Sequence, residues 1–332
     1  MKILLTGADG LLGSNLCREL LKRNHTITAL LFSETAPSLG IEGLPIHRIY
    51  GNIVDKTCVK DAVAGHDIVI HAAASTQVYP ARSPIIHEVN VKGTANIIYA
   101  CLFHRVKRLI HVGTANSFSP GSISDPGNED GPFTGHHYGL DYIDTKFEAQ
   151  QLVLEAVNKY QLNAVIVNPV FMIGPYDSKP SSGALILALY NKKIPAYSSG
   201  SKSYIAVKDA AIAIANAITL GQTGQCYILS NFHLSHKDAL QLMAVTIGVR
   251  PPSIPMPDFI VKWYGKFSSM FGKLTGKTPT LSSELALISC EAHCYSGEKA
   301  RNQLNMPCTD LRIAVSECFQ WFKEQEYLHN KI

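Results

Sequence analysis

The chain has 332 residues, of which 46% are hydrophobic and only 17% charged. That apolar content buries enough surface to offset the entropy of ordering, so disorder as the dominant state is excluded. With 30 basic against 26 acidic side chains the net charge is +4, too small and too dispersed for a nucleic-acid footprint. The length predicts one large domain, or a large one with a smaller annex.

The run from Met1 to Thr6 is too short for a signal-peptide core and is broken by Gly7, Asp9 and Gly10. No apolar stretch approaches the roughly 20 residues of a membrane-spanning helix, so the chain reads as cytoplasmic, without stable membrane insertion. Eight Cys are far below the density of a disulfide scaffold and read as buried thiols in a reducing compartment. Cys290, His293 and Cys294 would share a helix face, but no second ligand pair follows at finger-like spacing, and no metal is expected.

In chain order, strands are predicted at Lys2 to Thr6, Thr26 to Phe32, Ile46 to Tyr50, Asp67 to His71, Lys107 to Val112 and Asn163 to Asn168. Several are nearly all apolar, as a parallel strand covered on both faces requires. Helices are predicted between them at Leu11 to Arg23, Thr57 to Val63, Pro84 to His104 and Tyr138 to Tyr160. The alternation is that of a doubly wound α/β sheet, the Rossmann architecture.

Beyond Pro169 the pattern changes to Gly/Pro-punctuated sequence, then helices, with short strands expected near Tyr204 and Tyr227. The expected division is a dinucleotide-binding body from 1–170 with returning segments at about 203–230, and a smaller, mainly helical substrate-binding region from about 171–202 and 231–332. Within the latter, Asp258 to Leu274 places Phe259, Trp263, Phe267, Met270 and Phe271 at helical spacing, with Lys262, Lys266 and Lys273 interleaved. Two readings fit: a membrane-surface helix, or an aromatic helix packed as a lid over a pocket. The lid is preferred, and it accounts for the low charge without a membrane.

Three motifs carry chemistry. Gly7-Ala8-Asp9-Gly10-Leu11-Leu12-Gly13 stands between the first strand and the first helix, where free N–H groups and the positive helix end receive a pyrophosphate. Tyr142 and Lys146 are four residues apart, so phenol and ammonium share a helix face; a neighbouring cation lowers a phenol pKa from its ordinary ~10. Thr114 closes the fifth strand, at the carboxyl edge where open α/β sheets bind ligands, and its hydroxyl is placed to donate to a substrate carbonyl oxygen.

With Asp67-Ile68-Val69-Ile70-His71-Ala72-Ala73-Ala74 and Asn90-Val91-Lys92-Gly93-Thr94-x-Asn96, these motifs stand in an order and spacing that resembles the extended short-chain dehydrogenase/reductases over essentially the whole chain. The resemblance implies Tyr142 as proton donor or acceptor, Lys146 as ribose ligand and pKa modifier, and Thr114 as the hydroxyl polarising the substrate. It implies NAD(P) contacts at Gly7, Asp9, Gly10, Leu11, Leu12, Gly13, Phe32, Ser33, Asn52, Ile53, Ala72, Ala73, Ala74, Asn90, Val112, Pro169, Val170 and Met172. Family members commonly pair the helices equivalent to Pro84 to His104 and Tyr138 to Tyr160 in a homodimer, which this sequence permits.

Val167-Asn168-Pro169 through Gly174-Pro175 resembles the dihydroflavonol 4-reductase and 3β-hydroxysteroid dehydrogenase branch. The stretch from Lys179-Pro180-Ser181 to Tyr197, with Glu298-Lys299-Ala300-Arg301, is similar to a bacterial reductase-like group that includes hopanoid-associated sugar epimerases. Where nucleotide-sugar enzymes usually show an Arg-Asp-Phe-like string, this chain reads Lys202-Ser203-Tyr204, which removes a bidentate clamp on a diphosphate. Phe32-Ser33-Glu34 puts neither a diagnostic acid nor an Arg after the second strand, and the reductase resemblance favours NADP over NAD. Asn52, where Asp is usual, keeps an acceptor for adenine.

The reading is an NAD(P)-dependent reductase or dehydrogenase of a carbonyl/secondary-alcohol pair with an apolar to moderately polar small-molecule substrate. Its rivals are an NAD-dependent sugar or nucleotide-sugar epimerase/dehydratase and a non-catalytic NAD(P)-binding regulator. His136 and His137, in a Gly/Pro/Asp-rich loop before Tyr138, are assigned surface or supporting roles.

Overall fold

The computed structural model describes residues 1–34 and 38–328. The first half alternates β1 (Lys2–Thr6), α1 (Leu11–Lys22), β2 (Thr26–Leu31), β3 (His47–Tyr50), α2 (Lys56–Val63), β4 (Ile68–His71), α3 (Pro84–His87), α4 (Gly93–His104), β5 (Arg108–Val112), α5 (Asp141–Tyr160) and β6 (Ala164–Pro169). The second half runs β7 (Phe171–Ile173), α6 (Ala184–Tyr190), β8 (Ala196–Tyr197), β9 (Ser201–Ala206), α7 (Val207–Leu220), β10 (Cys226–Leu229), β11 (Phe232–Ser235), α8 (His236–Thr246) and β12 (Ile254–Pro255). It ends with α9 (Asp258–Thr275), α10 (Ser283–Ser289), β13 (Ala292–His293), α11 (Glu298–Leu304) and α12 (Leu311–Glu324).

A seven-stranded sheet in the order β10-β6-β5-β4-β1-β2-β3, parallel throughout, forms the centre of the molecule. Its strands are apolar on both faces because both are covered. Ile3, Leu5, Ile70 and Ile110 pack with α1 and α7 residues such as Leu16 and Ile214. Leu4, Val69, Leu109 and Ile166 face the opposite layer, with Val59, Ile97 and Val153 from α2, α4 and α5. The order reverses between β1 and β4, so the chain leaves these two strands in opposite directions and opens a crevice at their carboxyl ends.

The strand expected near Tyr227 joins this sheet as β10; the one expected near Tyr204 is β9, which does not. It pairs instead with β11, β13 and β7 in a second, four-stranded sheet, packed with α8 and α12 around Met243, Val315 and Phe322. Ala300, Leu304 and Met306 lie against the main-sheet core, on the layer that also holds α1 and α7.

Two further elements differ from expectation. The predicted helix Pro84 to His104 contains a π-turn, Glu88–Lys92, between α3 and α4. The expected lid has its aromatic residues turned outward: α9 buries Val261, Gly265, Ser269 and Gly272, while Trp263 is 62% exposed. The cause is close packing on the small-residue face. A Cβ on Gly265 would lie 2.5 Å from that of Ala286 in α10, and one on Gly272 would lie 2.9 Å from the Tyr79 hydroxyl. Among the described residues no helix is long and apolar enough to cross a membrane.

Candidate active site

The glycine loop is built by close approaches. Gly7 has φ +71°, in the left-handed region, and a Cβ there would lie 2.7 Å from the Ala73 nitrogen and 2.9 Å from the Ala72 carbonyl carbon, where the chain leaves β4. At Gly13 a Cβ would strike the Gly7 carbonyl oxygen and lie 2.7 Å from the Ala8 Cα. Gly10 starts α1 in extended conformation with no side-chain cap. The first-turn N–H groups of Leu11, Leu12 and Gly13, at the positive end of the helix dipole, are thus left for an anion. This cradle fits a dinucleotide pyrophosphate. The Asp9 carboxylate is ion-paired 2.7 Å from Lys179 Nζ, which ties the loop to the segment after β7.

Beyond β2, Phe32 is 78% exposed, and Ser33 and Glu34 follow it. After β3 the Asn52 side-chain oxygen accepts from Val54 N–H (3.0 Å). Asn96 of α4 donates to the carbonyls of Ile53 (2.9 Å) and Val54 (3.0 Å), which holds this loop in place. Ile53 is buried and fills the space a Cβ on Gly93 would need, 2.8 Å from its Cδ1.

Ala72, Ala73 and Ala74 are half-buried along the exit from β4. Thr6 Oγ1 accepts from Ala73 N–H (3.1 Å) and meets His71 Nδ1 at 2.8 Å; His71 Nε2 is 3.1 Å from Thr94 Oγ1. Burial, with the Lys146 charge adding to it, lowers His71 to about 3 and His111 well below its ordinary value, so both rings are neutral. Asn90, in the π-turn, accepts from Ser75 N–H (2.7 Å) and donates to Ser75 O and Thr145 Oγ1 (3.0 Å each). Asn90 thus uses both amide hydrogens inside the protein, clamping the β4 exit to α5.

The structure brings Thr114, Tyr142 and Lys146 together. Buried Thr114 follows β5, its side-chain oxygen accepting from Asn116 N–H at 3.4 Å, and lies near the phenol of half-buried Tyr142, in the first turn of α5. One turn on, buried Lys146 donates to the Val112 carbonyl at 2.5 Å. Burial lowers its ammonium to about 8. The expectation that Lys146 holds the phenol below its ordinary value is corrected here: burial pushes Tyr142 up, opposed by the neighbouring Thr114 hydroxyl. Tyr142 therefore carries its proton at neutral pH. Pro169, Val170 and Met172 lie at the end of β6 and beyond, Pro169 buried and the others half-buried, with Val170 N–H bonded to the Leu229 carbonyl at 3.1 Å.

Asn168 was not singled out as a site residue. Buried in β6, it donates to the Thr114 carbonyl (3.0 Å) and to Gln150 Oε1 of α5 (2.7 Å), so it sets the backbone that carries the Thr114 hydroxyl. The available signal was an amide ending an otherwise apolar strand. His136 and His137 are exposed: His136 Nδ1 lies 2.9 Å from Asp144 Oδ1, and His137 Nδ1 lies 2.7 Å from the Thr134 carbonyl. Cys290 ends α10, buried His293 meets the Tyr138 hydroxyl at 3.1 Å, and the Cys294 thiol lies 3.4 Å from Ser201 Oγ.

Residues 3–229 match the model of the NAD dependent epimerase/dehydratase family. The chain belongs to that family. It is similar to sterol demethylase protein B of Methylococcus capsulatus, 26% identical over 98% of this chain and 99% of that one. It is also similar to a putative dihydroflavonol 4-reductase of Synechocystis, 26% identical over 98% of this chain and 95% of the relative. Among solved structures, the crystal structure of gox2253 superposes with a TM-score of 0.85 at 27% identity, covering 97% of this chain and 98% of that one. The extended short-chain dehydrogenase/reductase resemblance and the Rossmann fold are thereby established, as is dependence on a nicotinamide cofactor.

Proposed function

We propose that the protein is an NAD(P)-dependent oxidoreductase that interconverts a carbonyl and a secondary alcohol. The observation that carries this reading is the grouping of buried Thr114, half-buried Tyr142 and buried Lys146 at the carboxyl edge of the sheet, with Lys146 held against the Val112 carbonyl. The nicotinamide, when bound, supplies or accepts the hydride. Leu11, Leu12 and Gly13 would hold its pyrophosphate through backbone N–H groups, and Lys146 its ribose.

In the reductive direction Tyr142 donates its phenolic proton to the substrate oxygen while Thr114 hydrogen-bonds to that oxygen and orients it. Asn168, through the Thr114 carbonyl, and Asn90, through Thr145, position these groups from behind.

NADP is proposed over NAD because the residue after β2 is the exposed Phe32 rather than a carboxylate that would repel a 2′-phosphate. The proposed substrate is apolar to moderately polar: Lys202-Ser203-Tyr204 offers no guanidinium for a diphosphate, and a full-length relative bears a sterol-demethylase name. Steady-state assays of ketones, sterol-like and flavonoid-like carbonyls and nucleotide-sugars, with NADPH and NADH, test the proposal. Oxidation of NADPH by an apolar ketone is the expected result. Turnover of a nucleotide-sugar without added cofactor overturns it in favour of an epimerase.

A further inference from the structure

Helix α9 is the feature for which the catalytic reading has no use. At 100° per residue it divides into three stripes. Val261, Gly265, Ser269 and Gly272 are buried against the body of the protein. On the opposite side Phe259, Trp263, Phe267, Met270, Phe271 and Leu274 stand in solvent, Leu274 at 79% exposure. Lys262, Lys266 and Lys273, all exposed, occupy one edge between the two.

A surface helix of a soluble protein turns its apolar stripe inward. This one docks through glycine and serine and presents its aromatic residues outward, which gives a continuous apolar ridge rather than scattered surface residues. Ile254, just before the helix, is also exposed. Charge identifies what the ridge meets. Over residues 258–281 there are four lysines, counting Lys277, against one acid, Asp258. That acid is already bonded to Ser199 Oγ at 2.6 Å. A second copy meeting this ridge across a two-fold axis would bring the same lysines to one contact with no acidic row to answer them.

We propose that α9 is a membrane-docking helix that lies in the interface of an anionic phospholipid bilayer, its aromatic ridge at the acyl boundary and its lysine edge on the headgroups. Trp263 and Tyr264 have the amphipathic rings that favour headgroup depth. The other helix of the hairpin, α10, packs Leu287 and Ile288 in the cluster that holds Ile143 and Tyr142. The docking ridge and the proposed proton donor thus lie on two sides of one helical hairpin, and a bilayer-dissolved substrate would reach the crevice from that side. The docking itself does not depend on the oxidoreductase reading, and its test reads binding rather than turnover.

Flotation of the purified full-length protein with phosphatidylcholine vesicles, with and without phosphatidylglycerol, tests the proposal. Wild-type protein is expected to float with the anionic vesicles, and Trp263→Glu/Phe267→Glu to stay at the bottom with an unchanged thermal midpoint. Lys262→Gln/Lys266→Gln/Lys273→Gln should weaken anionic binding roughly a hundredfold, at about fivefold per lysine. In the unaltered protein, acyl-brominated lipid should quench Trp263 emission, since the other tryptophan, Trp321, is buried. Absence of flotation on both vesicle types overturns the proposal. So does equal flotation of the Trp263→Glu/Phe267→Glu variant. A wild-type dimer that this variant dissociates, with no vesicle binding, would instead assign the ridge to a second copy.

Discussion

The Thr114 hydroxyl lies near the Tyr142 phenol across the gap between the end of β5 and the first turn of α5, 28 residues apart in sequence. Burial alone would push the phenol further up, and the neighbouring Thr114 hydroxyl counteracts part of that push.

Removing the phenolic oxygen tests the proton donor. Tyr142→Phe should lower kcat by about 10²- to 10⁴-fold, the range for loss of one general acid. The Kd for NADPH, read by fluorescence titration, should change less than about threefold. Retained turnover would exclude Tyr142 as the acid.

Thr114 is tested by a pair of substitutions. Thr114→Val keeps the shape and removes the hydroxyl, and should cost about 10²-fold in kcat, comparable to loss of one oxyanion donor. Thr114→Ser restores the hydroxyl and should recover most of the rate; equal losses in both variants would point to packing rather than hydrogen bonding.

Gly13→Ala should abolish dinucleotide binding, because its Cβ would collide with the Gly7 carbonyl and the Ala8 Cα, both backbone atoms that cannot yield separately from the loop. Isothermal titration with NADPH reads this directly, and a Kd within tenfold of wild type would refute the proposed cradle.

Asn90 is expected to govern stability as well as activity. Asn90→Ala leaves the Ser75 N–H and Thr145 Oγ1 without their partner, a cost of roughly 2–3 kcal/mol in urea denaturation. A change below about 0.5 kcal/mol would mean that the clamp between the β4 exit and α5 is not formed.

Lys146 makes stability depend on pH. Its ammonium titrates at about 8 in the fold against 10.5 when free, so the unfolded chain binds more protons between those values. The burial penalty is full below pH 8 and is relieved as pH rises through the window, which makes this group's contribution to stability increase with pH. Lys146→Met removes the effect. The difference in unfolding free energy between wild type and variant should therefore shift by roughly 2–3 kcal/mol between pH 7 and pH 10. A pH-independent difference would show that Lys146 is not desolvated.

Much of the main sheet was legible because its signals are local. Apolar runs such as Ile3-Leu4-Leu5 and Val165-Ile166-Val167 can only be strands covered on both sides, and the glycines at 7, 10 and 13 mark the turn that follows β1. Less legible were polar residues whose partners lie far along the chain. Asn168 reads as a strand residue until Gln150 and the Thr114 carbonyl are seen beside it, and the clamp that Asn90 makes with Ser75 and Thr145 emerges only once α5 is packed against the β4 exit.

The sequence by itself determined the alternation of strand and helix, the loop that fits a pyrophosphate, and the placing of Tyr142 and Lys146 on one helix face, because residue spacing and backbone permissiveness are properties of short segments. Only the tertiary structure decided the direction of the Tyr142 shift, since desolvation depends on everything packed around the phenol. It alone also decided which side of α9 faces water: the helical period shows an aromatic stripe, but the choice was made by Gly265 and Gly272 fitting closely against Ala286 and Tyr79. The low charge of the chain thus includes an apolar ridge left in the open, which composition cannot distinguish from a buried one.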